Sequence, residues 1–170
     1  MPLGGSYPYD VSKSCADLIA QSYAKTYQLP IAITRCGNLY GGGDFNWDRI
    51  IPGTIRAVIR KQAPIVRSNG QSIRDYFYVE DGVSAYITLA EKLLTDNLCG
   101  QSFNFSGDNS LKVIDVVEYI LRLMQCNYKP IILNQSSNEI IEQRLDIQKA
   151  KTIFMLRMVF LLISHLPKNY

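Results

Sequence analysis

Tyr9 and Lys13 are the residues of this chain whose types and spacing most directly suggest chemistry. Four positions apart in a helix, they project from one face about one turn from each other. An ammonium held beside a phenol favours the phenolate, a general base able to take a proton from a hydroxyl. Taken alone the pair is a weak signal, because a lysine one turn after a half-buried tyrosine is ordinary on a solvated helix face. A second set of residues suits anions: Asn38 in RCGNLYG, Arg49 in DRIIPG, Arg74 in SIRDY, Asn104 in FNFSG and Arg144 in EQRLD. Guanidinium forks and amide donors match phosphate oxygens in geometry and charge. Each has a plain alternative, the arginines as solvated charges and Asn38 as a left-handed loop residue.

Cys36 invites a nucleophilic reading, but no histidine accompanies it, and the one histidine, His165, lies in the tail. The cysteines at 15, 36, 99 and 126 are widely spaced with no CxxC, which argues against a zinc site or a disulfide scaffold and for a reducing cytoplasm. Asp75 and Asp81 read as a turn residue and a helix-start residue.

The elements that must position these side chains follow from periodicity. Apolar Val11, Cys15, Leu18, Ile19, Tyr23 and Tyr27 recur at three- and four-residue steps, predicting a helix over 10–27 with that face buried. Residues 31–36 (IAITRC) predict a buried strand running into a glycine loop at Gly37 and Gly41 to Gly43. Helical spacing returns over 48–61, 82–94 and 111–124, and short strands are expected at 63–67, 75–79, 102–105 and 130–133. Strands alternating with helices predict an α/β protein with parallel pairing. Ligands in such folds sit beyond the carboxyl ends of the strands, which places Cys36 and Gly37 next to a bound group. No GxGxxG or GxxGxxG follows any strand, so the turn that cradles a dinucleotide pyrophosphate is not in this sequence.

With 170 residues, 47% hydrophobic and 19% charged, the composition is that of a globular domain, not a disordered one. A net charge of +3 without a Lys/Arg block excludes the usual footprint of a nucleic-acid binder. MPLGGSYPYD has no basic stretch leading into an apolar one, so no secretory leader is expected. The apolar run over 153–166 spans fourteen residues and carries Arg157 and His165, short of a membrane span of roughly 20.

Read together, PYDVSKSCADLIAQSYAKTY, ITRCGNLYGGGD, NWDRIIPGTIR, SNGQSIRDYFYVEDGVSAY and FNFSG are similar to the extended short-chain dehydrogenase/reductase family, the NAD-dependent epimerases and dehydratases. Their wording most resembles the CDP-glucose 4,6-dehydratase branch. The resemblance covers about residues 5–150 and implies the C-terminal half of such an enzyme: part of a Rossmann-like parallel sheet plus a small α/β substrate-binding subdomain. It implies Tyr9 and Lys13 as the catalytic pair touching NAD, with Cys36 and Gly37 beside the nicotinamide. It further implies Asn38, Arg49, Arg74, Asn104 and Arg144 as contacts to a nucleotide-diphosphate sugar, and pairing of two copies through the tyrosine-bearing helix. In that family the carboxylate pair for water elimination lies upstream of the tyrosine, so the chain by itself is expected to bind NAD poorly and not to turn over. A 4-epimerase uses the same Tyr/Lys pair without elimination acids, and a non-catalytic nucleotide-sugar-binding remnant would keep only the anion contacts. The resemblance stops at Lys151, which divides the chain into an epimerase/dehydratase portion, 1–151, and an atypical apolar tail, 152–170.

Overall fold

The computed structural model describes residues 4–5, 7–107, 110–135 and 140–154. Five helices and eight short strands alternate along these residues. Helix α1 (Pro8–Tyr27) begins on a proline, whose missing N–H costs nothing at a first turn, and stops where Gln28 turns left-handed at φ 53. It leads through β1 (Ile33–Cys36) and β2 (Asn38–Tyr40) to α2 (Ile50–Ile59), β3 (Ile65–Val66), β4 (Ile73–Tyr78) and α3 (Val79–Lys92). The rest is β5 (Ser102–Phe105), β6 (Ser110–Lys112), α4 (Val113–Leu123), β7 (Ile131–Ile132), β8 (Glu142–Gln143) and α5 (Gln148–Phe154).

Among the described residues the strands form three sheets. β1 pairs in parallel with β5, Ile33 opposite Ser102 through Cys36 opposite Phe105. β4 is the hub of the second: β2 and β8 run parallel to it, while β6 runs antiparallel. β3 and β7 make a small parallel pair. The α/β class with parallel pairing is therefore present, with one antiparallel exception that periodicity does not reveal.

Apolar burial explains the packing. In α4 the residues Val113, Val116, Val117, Ile120 and Leu121 are buried at the three- and four-residue steps of one helix face, and α4 packs on α2. The first N–H groups of α4 are taken up by the distant turn that leads into β4, Val113 by the carbonyl of Ser72 and Ile114 by that of Gly70. A second core joins Phe77, Leu89, Phe103, Phe105 and Phe154, so α3 and α5 close over β4 and β5.

Two expectations are corrected. The stripe of α1 expected to be buried is exposed, with Val11 at 45%, Leu18 at 54% and Tyr27 at 63%; the buried residues are Asp17 and Ala24. A polar anchor decides the helix orientation: Asp17 and Gln21 face β1, where Asp17 meets Arg35. Asp75 is not a turn residue but a buried position in β4. The glycine loop after β1 contains a strand of its own, β2; β6 takes Leu111 and Lys112, where the helix was expected to begin, and β8 and α5 lie in stretches whose spacing carries no clear period. α5 continues across Lys151 to the buried Phe154; tail positions 155–170, with His165, lie outside the described residues. Among the described residues no helix is long and apolar enough to cross a membrane.

Candidate functional site

At the start of α1 the Lys13 ammonium stands over the Tyr9 ring, 5.7 Å from its centroid. The spacing of four puts both on one helix face, and Tyr9 is 70% exposed, so its hydroxyl is open to a bound reactant. Two turns further along that face, Asp17 is buried and accepts from Arg35 twice, from Nε at 2.7 Å and Nη2 at 3.1 Å. Gln21 adds a third donor at 2.6 Å. This cluster fixes the rotation of α1 on β1 and hence where Tyr9 and Lys13 project. Sequence reasoning missed it, although the steps from 9 to 13 to 17 gave the signal.

The Arg35 guanidinium beside Asp17 holds the carboxyl below its ordinary value of 3.8, outweighing the opposing effect of burial. A carboxylate depressed in the folded state contributes stability above pH 3.8, and that contribution is lost as pH falls through the lowered folded value. Asp17→Asn is therefore expected to cost about 2 kcal/mol at pH 7, less than the ~3–5 for a fully enclosed pair because Arg35 keeps contact with water. Urea unfolding of the two proteins at pH 7 and pH 2 tests this: the gap should close in acid, and an unchanged gap refutes it.

Where β1 ends, Cys36 places its thiol 3.9 Å from the Tyr86 hydroxyl, and burial pushes the thiol up from its ordinary range. That disfavours the thiolate, so the nucleophilic reading of Cys36 loses support. Gly37 donates its N–H to the carbonyl of Phe105 and carries the chain into β2. Just past β2, Gly41 sits at φ +156, and a Cβ there would lie 2.3 Å from Val79 Cγ1, so only glycine lets the loop pass α3.

Side chains two apart on a strand share a face, so Asn38 and Tyr40 align on β2, and Arg74, Tyr76 and Tyr78 on β4. The register Asn38 opposite Tyr76 and Tyr40 opposite Tyr78 makes these one surface. Asn38, Arg49 and Arg74 accordingly line a single cavity of about 230 Å³ with Tyr40, Tyr76 and Asp44. Arg49 crosses its mouth, donating to the carbonyl of Leu39 and to Asp44, both at 3.3 Å. Arg74 donates from Nη1 to the carbonyl of Ile73 at 2.8 Å. The buried Tyr40 hydroxyl has no hydrogen-bond partner among the described residues, and burial keeps it protonated, a donor. Asp44, Tyr40 and Tyr76 were not anticipated; the i, i+2 relation to Asn38 and Arg74 would have found the tyrosines.

Two expected contacts stand outside this cavity. Asn104 donates its side-chain amide to the carbonyl of Asp146 at 2.8 Å. Arg144 pairs with Glu142 at 2.6 Å on an exposed surface.

A profile of the NAD dependent epimerase/dehydratase family matches residues 1–104. The dTDP-glucose 4,6-dehydratase of Escherichia coli is 36% identical over 119 residues, which cover 70% of this chain and 32% of that protein. The CDP-glucose 4,6-dehydratase of Salmonella typhimurium is 34% identical over 127 residues, 68% of this chain and 35% of that protein. The chain thus spans about a third of the length of these curated relatives. Among solved structures, dTDP-glucose 4,6-dehydratase from Bacillus anthracis in complex with NAD superposes with a TM-score of 0.85 at 27% identity, covering 96% of this chain and 50% of that one. UDP-glucuronic acid 4-epimerase from Bacillus cereus shares the fold at the same TM-score, 0.85, and 21% identity, covering 96% and 50%. With its α/β fold and paired tyrosine and lysine, this chain belongs to the NAD dependent epimerase/dehydratase family.

Proposed function

We propose that this chain is the catalytic-helix and substrate-binding portion of an NAD-dependent nucleotide-sugar 4,6-dehydratase, taking CDP-glucose to its 4-keto-6-deoxy product. The observation that carries it is the cavity that Asn38 of β2, Arg74 of β4 and Arg49, just before α2, line together. Two guanidiniums and an amide suit a pyrophosphate, and the partnerless Tyr40 hydroxyl offers one more donor. Preference for CDP over dTDP rests on the wording of PYDVSKSCADLIAQSYAKTY and ITRCGNLYGGGD.

Tyr9 removes the proton from the sugar 4-hydroxyl, and Lys13 stabilises the phenolate and donates to the nicotinamide ribose. The exposed face they share and the carboxyl end of β1 at Cys36 and Gly37 fit one end of NAD. When bound, NAD would supply the hydride acceptor for C4 and, once water has left across C5 and C6, the hydride donor for C6. Asn104 and Arg144 act at the edge of the substrate, Asn104 through the carbonyl it holds at Asp146. The glycine-rich turn for the NAD phosphates and the elimination carboxylates come from an N-terminal portion, for which β1 has an edge that pairs with none of the described strands. Residues 1–151 belong to this portion, and α5 carries it three residues further, to Phe154 in the core. Two copies pair through the exposed apolar stripe of α1, and the cytoplasm is the site of action.

Calorimetric titration of the chain with CDP-glucose, dTDP-glucose and NAD tests the proposal. Binding of CDP-glucose about tenfold tighter than dTDP-glucose, with weak NAD binding, is expected. Equal binding of both sugars removes the CDP assignment, and no nucleotide-sugar binding removes the substrate class.

A further inference from the structure

We infer that the hollow between α2 and the loop 41–49 is a second binding site, apart from the cavity of Asn38, Arg49 and Arg74, and that it takes a planar aromatic anion: ring against Phe45 and Trp47, charge at Arg56 and Arg60. The loop is held in shape by its own side chains. Asp44 accepts the N–H of Asn46 at 3.1 Å, and the Asn46 side chain accepts that of Asp48 at 3.2 Å. The N–H of Arg49 then returns to the Asn46 carbonyl at 3.0 Å. Side-chain bonds to the backbone two residues on fix a turn without help from a sheet. This turn sits hard against α2, because a Cβ at Gly53 would lie 2.6 Å from the Trp47 carbonyl oxygen.

What the turn presents is aromatic. Phe45 is 76% exposed and Trp47 44%, and their rings meet edge-on with centroids 5.9 Å apart. Ile55 and Ile59, one turn apart on α2, line the same hollow, and Ile59 is exposed as well. The enclosed volume is about 490 Å³, within the range of small-ligand sites, roughly 300–1,000 Å³. Rings of this size gain free energy when they leave water, yet the described residues do not cover them.

The charge beside them is positive. The Arg56 guanidinium lies over the Trp47 ring, 4.9 Å from its centroid, and Arg60 lines the hollow one turn further along α2. Like charges at that spacing repel. Among the described residues no carboxylate pairs with either, and the one acid in the lining, Asp44, is already engaged by Arg49 at 3.3 Å. The C-terminal end of a helix favours cations, which accounts for two arginines here but not for open aromatic rings next to them. A guanidinium stacked on an indole keeps its N–H edge for an oxyanion. An anionic group on a flat ring therefore answers both features at once. Tyr40 and Ile51 form a wall shared with the neighbouring cavity, but Asn38, Arg49 and Arg74 do not line this hollow.

Trp47 is the sole tryptophan of the chain, so its fluorescence reports on this hollow directly. The 170-residue chain is titrated with para-nitrobenzoate and with AMP, which stand for the two sources of such an anion, a free aryl acid and a nucleotide. Saturable quenching is expected, about tenfold weaker with the uncharged para-nitrobenzamide and absent with inorganic phosphate. Tighter para-nitrobenzoate names an aryl acid and tighter AMP a nucleotide, and either order supports the site. Arg60→Gln and Phe45→Ala should each weaken binding about tenfold, while Arg74→Gln should leave it within about twofold. Both tested side chains are exposed, so folding is not at stake. No saturable quenching by either probe, equal binding of the acid and its amide, native binding in Arg60→Gln, or loss in Arg74→Gln each overturns the inference. Quenching should also persist when the chain is joined to a dinucleotide-binding N-terminal half; its disappearance there would give the hollow to that half and overturn the small-molecule assignment. Failure of CDP-glucose to bind, with quenching intact, removes the nucleotide-sugar reading and leaves this site standing.

Discussion

Tyr9→Phe, made in a polypeptide that joins this chain to a dinucleotide-binding N-terminal half, is expected to lower kcat about 10³-fold with little change in nucleotide-sugar affinity. The phenol is proposed to act on a proton in flight, so its removal weakens the transition state and not the ground-state complex. Structure makes the test clean. The Tyr9 side chain is 70% exposed and its ring meets the Lys13 ammonium 5.7 Å away, so losing the hydroxyl should leave the melting temperature within a degree or so. Lys13→Met should lower kcat by a similar factor and also weaken NAD, since the ammonium is assigned to the ribose. Steady-state kinetics with calorimetry separates these outcomes. More than a tenth of native turnover in Tyr9→Phe would remove the general-base role.

The largest stability effect is expected at Phe103. Its side chain is fully buried, its ring meets Phe154 edge-on with centroids 4.9 Å apart, and the Lys149 ammonium lies 4.3 Å over its face. On β5 it stands opposite Thr34 of β1, so one side chain ties the β1–β5 ladder to α5. Phe103→Ala should cost about 3–5 kcal/mol, the transfer free energy of the ring plus the cavity left behind. Against a typical total of about 5–15 kcal/mol, that leaves a chain close to unfolding at 37 °C. Leu94→Ala serves as the control, because Leu94 is 72% exposed and should shift stability by less than about 0.5 kcal/mol. A loss under about 1 kcal/mol at Phe103 in urea unfolding would show that α5 does not seal this core.

Several features were legible in the residues alone. The strand at 102–105 matches β5 at both ends, and the helices expected over 48–61 and 111–124 contain α2 and α4. Strong one-face periodicity in a helix and the polar–apolar alternation of SFNF are local signals, which is why they survive without tertiary information. The α1 stripe failed for an equally physical reason: periodicity reports where apolar residues cluster, not which side of the helix the fold covers. There the Asp17–Arg35 pair outweighs the stripe and turns it outward.

By itself the sequence determined that the chain alternates strand and helix, that Tyr9 and Lys13 share a helix face, and that it carries no glycine-rich phosphate turn. Each follows from composition or from spacing within one element, where geometry repeats every 3.6 or 2 residues. Only the tertiary structure decided that Asn38, Arg49 and Arg74 meet in one cavity while Asn104 and Arg144 lie outside it. It alone revealed Asp75 as a buried junction between β8, β6 and the start of β2. Those relations depend on which strand lies beside which and in what register, and pairing between distant segments leaves no period in the chain that a local pattern could carry.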